Sequence, residues 1–126
     1  MSLAAAAVFV TSVLMPVLDT PSGQPVDLFD VLIEEVGTET WLRFRFLAPQ
    51  IAKDGGTITF TQAEPDLEFL CTEVALPYIA EFDLSPEIVA VMLSDQPIEF
   101  GVSDPEVTQF IDLFRVTSGT CVWEGI

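Results

Sequence analysis

The stretch Trp41-Leu42-Arg43-Phe44-Arg45-Phe46-Leu47 carries the clearest structural signal in the sequence. Large apolar residues alternate along it with a second set of residues, and successive side chains of a strand point to opposite faces of a sheet. The pattern therefore predicts a strand with an apolar core face and a mixed face on the other side. The core face carries Leu42, Phe44 and Phe46, and the mixed face carries Trp41, Arg43, Arg45 and Leu47.

Further strands are predicted on both sides of this one. Residues 26–35, rich in β-branched and large apolar side chains, are interpreted as a strand, with a helix as the alternative. The near-continuous apolar run 87–93 predicts a central strand buried on both faces. The turn residues 53–56 (Lys-Asp-Gly-Gly) predict a hairpin. The remaining predicted extended segments are 57–61, 98–100, 115–117 and 120–124.

A helix is predicted to begin at Glu64-Pro65-Asp66, because Pro and acidic residues are favourable in a first helical turn. Pro77 is expected to end or kink this helix near Leu76. Its apolar stripe is Leu67, Leu70, Cys71 and Val74.

A second, shorter helix is predicted over residues 105–113. Asp104 would be its N-cap, and Pro105 would occupy its first position. Its buried side would carry Val107, Phe110, Ile111 and Phe114.

These segments together predict an α+β fold, with a largely antiparallel sheet of about six short strands and two helices packed on one face. The chain has 126 residues, half of them apolar, which suits one domain with a real core. Two regions are expected: a signal-like or anchor segment at 1–20 and a single domain at 21–126.

The amino-terminal region 3–18 is apolar and uncharged. At 1.5 Å per residue a helix of this length spans about 24 Å, which is short for a membrane span and typical of a signal peptide. Export to the periplasm or cell envelope is therefore expected. An uncleaved anchor and an apolar element buried in the fold are the alternatives.

The sequence contains two cysteines, Cys71 and Cys121. In an exported single-domain chain they predict one structural disulfide, which would join the first helix to the last strand. Two buried free thiols in a cytoplasmic protein are the alternative.

Composition excludes several classes of function. The sequence has 20 acidic residues, four basic residues and no histidine, giving a formal net charge of −16. Such a surface repels phosphate backbones and anionic membranes, so nucleic acid is excluded as a principal partner. Without histidine, Ser–His and Cys–His nucleophiles cannot form, and an ordinary zinc site has too few ligands.

Two sets of residues are candidate binding sites. Trp41, Arg43 and Arg45 would form an anion- or partner-binding face, unless the arginines pair with Asp30 and Glu34 on the preceding strand. Oxygen ligands crowd the later loop, where weak candidates for a hard cation such as Ca²⁺ are Asp95, Glu99 and Asp104.

Several stretches resemble a family of small exported proteins of alphaproteobacteria that has no known function. They are Pro21-Ser22-Gly23-Gln24-Pro25-Val26, Trp41-Leu42-Arg43-Phe44-Arg45-Phe46, Ala52-Lys53-Asp54-Gly55-Gly56-Thr57, Ile98-Glu99-Phe100-Gly101, Asp104-Pro105-Glu106-Val107-Thr108-Gln109-Phe110 and Cys121-Val122-Trp123-Glu124-Gly125-Ile126. The resemblance runs from about Pro21 to the end. It implies the two-cysteine layout and an envelope location but no activity. Some relatives carry the label acetolactate synthase, which does not fit a chain of this size without a phosphate-binding loop.

The resulting expectation is a non-enzymatic cell-envelope protein, acting as a binding module or as an accessory subunit of a larger assembly. The partner class that remains is another protein, which could be associated with the membrane. The sequence indicates no cofactor and no particular small-molecule ligand. The alternatives are a hydrolase that uses carboxylates or a divalent cation and a calcium-stabilised structural protein.

Overall fold

A computed structural model describes residues 15–125. It contains one mixed sheet and one helix, α1, of 22 residues. Two α-helical segments of α1, Phe60–Leu70 and Leu76–Glu81, flank a π-helical segment, Cys71–Ala75. A 3-10 turn, Pro49–Ile51, precedes the helix. The strands are β1 (Met15–Val17), β2 (Val26–Val36), β3 (Glu39–Leu47), β4 (Ile88–Ser94), β5 (Gln109–Thr117) and β6 (Thr120–Gly125).

The six strands lie in the sheet in the same order as in the sequence. Neighbouring strands are antiparallel except for β3 and β4, which are parallel. The connection between β3 and β4 contains α1, as a parallel pair requires a crossover. The predicted α+β class with a largely antiparallel sheet is confirmed.

The core lies between α1 and one face of the sheet. Phe44 and Phe46 of β3 are fully buried there, as the alternation in the sequence predicts. Strand β4 is buried along almost its whole length, which confirms the prediction of a central strand. The helix contributes the predicted apolar stripe, which is buried: Leu67, Leu70, Cys71 and Val74.

The helix begins four residues earlier than predicted, and the strand predicted at 57–61 does not form. Thr59 is the N-cap: its side chain accepts a hydrogen bond from the backbone N–H of Gln62, whose own side chain accepts one from the backbone of Thr59. This capping box satisfies two N–H groups that an uncapped helix leaves unpaired. Pro65 consequently lies inside the helix.

Pro77 is expected to end or kink α1 near Leu76; the helix does not end there, but an irregular turn lies just before Pro77. The π-helical segment immediately precedes Pro77, and the backbone N–H of Leu76 donates to the carbonyl of Cys71, five residues earlier. Helical structure then continues to Glu81. A single wide turn of this kind lets a helix pass a local irregularity without ending.

The second predicted helix is a strand. Residues 109–117 form β5, paired with β4 on one side and with β6 on the other. Asp104 does not cap a helix; its carboxylate accepts a 2.9 Å hydrogen bond from the backbone N–H of Glu106 in a local turn. Pairing with β4 and β6 gives hydrogen-bond partners to the backbone groups along both edges of this strand. A short helix would leave the N–H groups of its first turn and the C=O groups of its last turn without an intrahelical partner.

Two other predicted segments differ. Residues 53–56 do not join two strands; they belong to the loop between β3 and α1, where the backbone N–H groups of Thr57 and Ile58 both donate to the carbonyl of Gln50. Residues 98–100 are not a strand but part of the loop between β4 and β5. The final predicted hairpin is present as β5 and β6, joined at Ser118 and Gly119.

The apolar amino-terminal run lies mostly outside the described residues. Its end, Met15–Val17, forms β1, a short edge strand antiparallel to the start of β2. The signal or anchor interpretation of residues 1–20 stays a prediction. Within residues 15–125, no helix has the length and apolar character needed to cross a membrane.

Candidate functional site

The mixed face of β3 points away from α1. Arg43 pairs with Glu34 of β2 at 2.7 Å, and Arg45 pairs with Asp30 of β2 at 2.8 Å. These are the cross-strand pairs that the structural interpretation of the two arginines requires. Arg45 is nearly fully buried, so the ion pair with Asp30 is shielded from water more than an ordinary surface pair.

The loop between β4 and β5 covers these arginines. Arg45 also donates a hydrogen bond to the backbone carbonyl of Ile98. The Phe100 ring lies 5.1 Å from the guanidinium carbon of Arg43 and 5.8 Å from that of Arg45. Trp41 adds a ring 5.0 Å from Arg43. Both guanidinium groups are therefore engaged within the chain, and anion binding by this face stays a prediction that no contact supports.

The third arginine, Arg115, bridges two strands. It pairs with Glu39 and with Glu124, each at 2.8 Å. Hydrogen bonding with Glu124, and then with Glu39, raises the pKa of Arg115. Hydrogen bonds from Arg115 lower the pKa of Glu124 below the ordinary 4.5 of a glutamate. The remaining basic residue, Lys53, donates to the backbone carbonyl of Pro105.

The weak candidates for cation binding, Asp95, Glu99 and Asp104, do not converge on one site. Asp95 accepts a 2.6 Å hydrogen bond from the backbone N–H of Thr108, and Asp104 caps its own turn. Glu99 lies in the same loop and is exposed. Among the described residues, no group of three or more acidic or cysteine side chains has an arrangement that could hold a metal ion. These residues therefore receive no metal-binding role from the structure.

Cys71 and Cys121 form a disulfide, with their Cα atoms 6.3 Å apart. Cys71 lies in the π-helical segment and is fully buried, whereas Cys121 lies in β6. The predicted tie between the helix and the last strand is confirmed. Both thiols of the chain are used in this bond, so neither is free to act as a nucleophile.

A surface groove of about 440 Å³ opens between α1 and the strands β5 and β6. One wall is a stripe of exposed helical residues spaced three and four apart. The other wall comes from the helix-facing side of β5 and from β6. The lining residues are Thr61, Glu64, Pro65, Glu68, Asp112, Phe114 and Trp123.

Trp123 and Asp112 both line this groove. The indole Nε1–H of Trp123 donates a 2.7 Å hydrogen bond to Oδ1 of Asp112. The Trp123 side chain is nevertheless among the most exposed large apolar groups of the described chain, at 63 %. Asp112 is 5 % exposed. The hydrogen bond thus holds a large aromatic ring at the surface, next to a buried carboxylate.

The sequence patterns above do not single out this groove. If residues 105–113 were a helix, Asp112 would lie on its exposed side. In a strand, alternation places Asp112 on the same face as Phe110 and Phe114. A strand interpretation of residues 109–117 would therefore have found an acid on an otherwise apolar face. That signal is the one from which the site could have been recognised.

The fold and its surface define a small, acidic α+β protein in which one helix is bonded through a disulfide to the last strand of a six-stranded sheet. The chain belongs to a protein family of unknown function, DUF6497, whose family model matches residues 2–126. Nothing in this match indicates catalysis. No curated protein and no solved structure matches the chain.

Proposed function

We propose that the protein is an exported, non-enzymatic binding module, and that it serves as an accessory subunit of a larger cell-envelope assembly. The observation that carries this proposal is the groove beside Trp123. An exposed aromatic ring that is held in place by a partly buried hydrogen bond loses little freedom on binding, and such rings dominate the energetics of protein interfaces.

Export is supported by two features. Cys71 and Cys121 form a disulfide, and disulfides persist in oxidising compartments but are rare in reducing ones. The apolar residues 3–18, without a charge until Asp19, have the composition of a signal peptide. The periplasm or cell envelope is the compartment that accounts for both the disulfide and the apolar amino-terminal segment.

A binding role fits the available chemistry better than catalysis. The sequence has no histidine, and its two thiols are joined. Its three arginines are all paired with carboxylates. A second candidate, a carboxylate-dependent hydrolase, draws on one specific observation, the three acids of the groove: Glu64, Glu68 and Asp112. Hydrolysis of a peptide or glycoside substrate that stops in Glu64→Gln or Asp112→Asn would favour this second candidate.

The binding proposal is tested with the chain tagged at its carboxyl end and expressed from its native locus. Envelopes are solubilised gently and separated on a density gradient. We expect the protein to migrate with a larger assembly, well above its own 13.8 kDa. Both cysteines should resist alkylation in the cell until a reductant is added. Migration as a lone monomer after gentle solubilisation would contradict the accessory-subunit role, and rapid alkylation would contradict export.

A further inference from the structure

We propose that the groove between α1 and β5–β6 holds a lysine or arginine side chain from a basic segment of the partner protein. This inference rests on the proposed function and specifies the chemistry of the partner. It is carried by the charge of Asp112, the exposed ring of Trp123 and the acidic helical wall.

Asp112 is a buried acid that pairs with no basic side chain among residues 15–125. The sequence has four Lys and Arg residues, all within the described part, and each is engaged elsewhere. The three arginines pair with acids other than Asp112, and Lys53 donates to a backbone carbonyl. The carboxylate of Asp112 has one side-chain hydrogen bond in residues 15–125, from the neutral indole of Trp123. Because Asp112 lines the groove, a further donor can reach this carboxylate from outside the chain.

Asp66 shows what a self-sufficient buried acid looks like in this fold. It is fully buried and accepts three hydrogen bonds, from the backbone N–H and hydroxyl of Ser22 and from the side chain of Gln24. Asp112 has one such bond and lines an open groove. The difference points to a donor that arrives from outside the chain and shares the space beside Trp123.

The remaining lining residues favour a cation. Glu64 and Glu68 lie one turn apart on the exposed wall of the helix, and no basic residue lines the groove. A cation above the face of a tryptophan ring gains from the negative face of the ring, and nearby carboxylates add to this attraction. An aliphatic stem would pack on Pro65 and on the indole, as the stems of lysine and arginine do on apolar surfaces.

The occupant is best explained as a side chain of another protein. Small-molecule sites enclose most of the surface of their ligand, whereas this groove is open to solvent. A second copy of the same chain is a poor occupant, because its arginines are paired and its net charge is −16. A partner with a basic segment would also be steered towards this surface by long-range attraction.

The two tryptophans of the chain provide a direct measurement. The ¹⁵N-labelled full chain is titrated at low salt with a Gly/Ser peptide that carries one central lysine or arginine. The matched peptide carries norleucine at that position. We expect a saturable shift of the Trp123 indole N–H signal with the cationic peptides and little shift of the Trp41 signal. Equal shifts of both indoles, or equal binding of the norleucine peptide, would overturn the assignment.

Paired charge variants separate the groove from the overall charge. Glu64→Gln/Glu68→Gln and Glu73→Gln/Glu81→Gln each remove two acids from the same helix, but Glu73 and Glu81 do not line the groove. Loss of two ion pairs near the ring should weaken peptide binding about tenfold in the first variant. The second variant should change it less than about twofold. Equal losses would mean diffuse attraction, which contradicts a specific site.

Two further arms identify the source of the cation. Tighter saturation of the Trp123 signal by spermidine than by either peptide would make the groove a small-amine site and overturn the partner-protein assignment. In the native gradient, a Glu64→Gln/Glu68→Gln protein should leave the assembly. If it stays while the wild-type protein is also assembled, the groove inference fails and the accessory role stands. If the wild-type protein is a monomer, the accessory role fails, and the peptide titration alone decides the chemistry of the groove.

Discussion

The carboxylate of Asp66, in α1, accepts a 2.7 Å hydrogen bond from the side-chain amide of Gln24, which lies 42 residues earlier in the chain. Asp66 also accepts bonds from the backbone N–H of Ser22 at 2.9 Å and from its hydroxyl at 2.5 Å. The loop between β1 and β2 is thereby fixed to the helix. An acid that looks like a helix-start signal in the sequence is in fact a tertiary anchor.

Replacing Asp66 should therefore cost far more than replacing an exposed acid of the same helix. Asp66→Asn puts an amide group against donors from Ser22 and Gln24, and at least one buried donor loses its acceptor. We expect a loss of about 2–3 kcal/mol in the free energy of unfolding, measured by urea denaturation with the disulfide intact. Glu81→Gln is the control and should stay within about 0.5 kcal/mol of wild type. Similar losses in the two variants would show that the anchor contributes little.

The disulfide predicts a second, separable contribution to stability. It closes a loop with a sequence separation of 50 residues. In the chain-entropy model such a loop is worth about 4 kcal/mol, because the cross-link limits the unfolded chain. The Cys71→Ala/Cys121→Ala variant should lose about that amount in urea denaturation.

Reduced wild-type protein is the control for this measurement. It should unfold near the same urea concentration as the double alanine variant, since both lack the cross-link. Unfolding of the oxidised and reduced proteins at one common urea concentration would contradict the prediction.

How far the sequence predicts this fold depends on how local the deciding interactions are. The alternation in β3 and the apolar run of β4 are unambiguous patterns, and both strands form as predicted. Residues 107–114 satisfy two patterns at once, because Phe110 and Phe114 share a face on a helix and on a strand. Pairing with β4 and β6 decides between them, and this pairing is not visible in the segment itself.

The start of the helix shows the same competition on a smaller scale. Glu64 and Pro65 resemble a first turn, but Thr59 and Gln62 form the actual capping box three residues apart. The groove is not visible in the sequence for a related reason. Asp112 becomes notable only when the partners of all four basic residues are known, and those partners come from four different parts of the fold.

The buried arginine of the mixed face supplies a third prediction. Side-chain exposure is 5 % for Arg45 and 33 % for Asp30, against 14 % for Arg43 and 42 % for Glu34. Removing one partner of an ion pair leaves the other charge uncompensated, at a cost that rises with the burial of the pair. Arg45→Met should therefore cost about 3 kcal/mol in the free energy of unfolding, and Arg43→Met about 1 kcal/mol.

A double-mutant cycle tests whether the loss comes from the pair. Asp30→Asn combined with Arg45→Met should cost less than the sum of the two single changes, because each single change already breaks the contact. Additive losses would mean that Arg45 acts through its other contacts, which are the hydrogen bond to the carbonyl of Ile98 and the rings of Phe29 and Phe100. A separate measurement checks the anion-binding interpretation of the face formed by Trp41, Arg43 and Arg45. That interpretation requires sulfate to raise the thermal stability of the protein, which is measured with and without the anion.

The pair between Arg115 and Glu124 predicts a pH dependence with a definite sign. Hydrogen bonds from Arg115 hold the pKa of Glu124 below its ordinary 4.5 in the folded protein. The folded state therefore releases this proton more readily than the unfolded state. The stabilisation is present above pH 4.5 and is lost as the pH falls through the lowered folded pKa. Arg115, whose pKa is raised, stays charged throughout this range.

Carboxyl NMR signals of Glu124 should accordingly titrate below pH 4.5 in the wild-type protein and move upwards in Arg115→Gln, where the donors are gone. Urea midpoints give the matching stability test. The difference between wild type and Glu124→Gln should be largest near neutral pH and should shrink as the pH falls below 4.5. A Glu124 titration that is the same with and without Arg115 would show that the pair does not persist in solution, since a lowered pKa of Glu124 is the direct consequence of the contact.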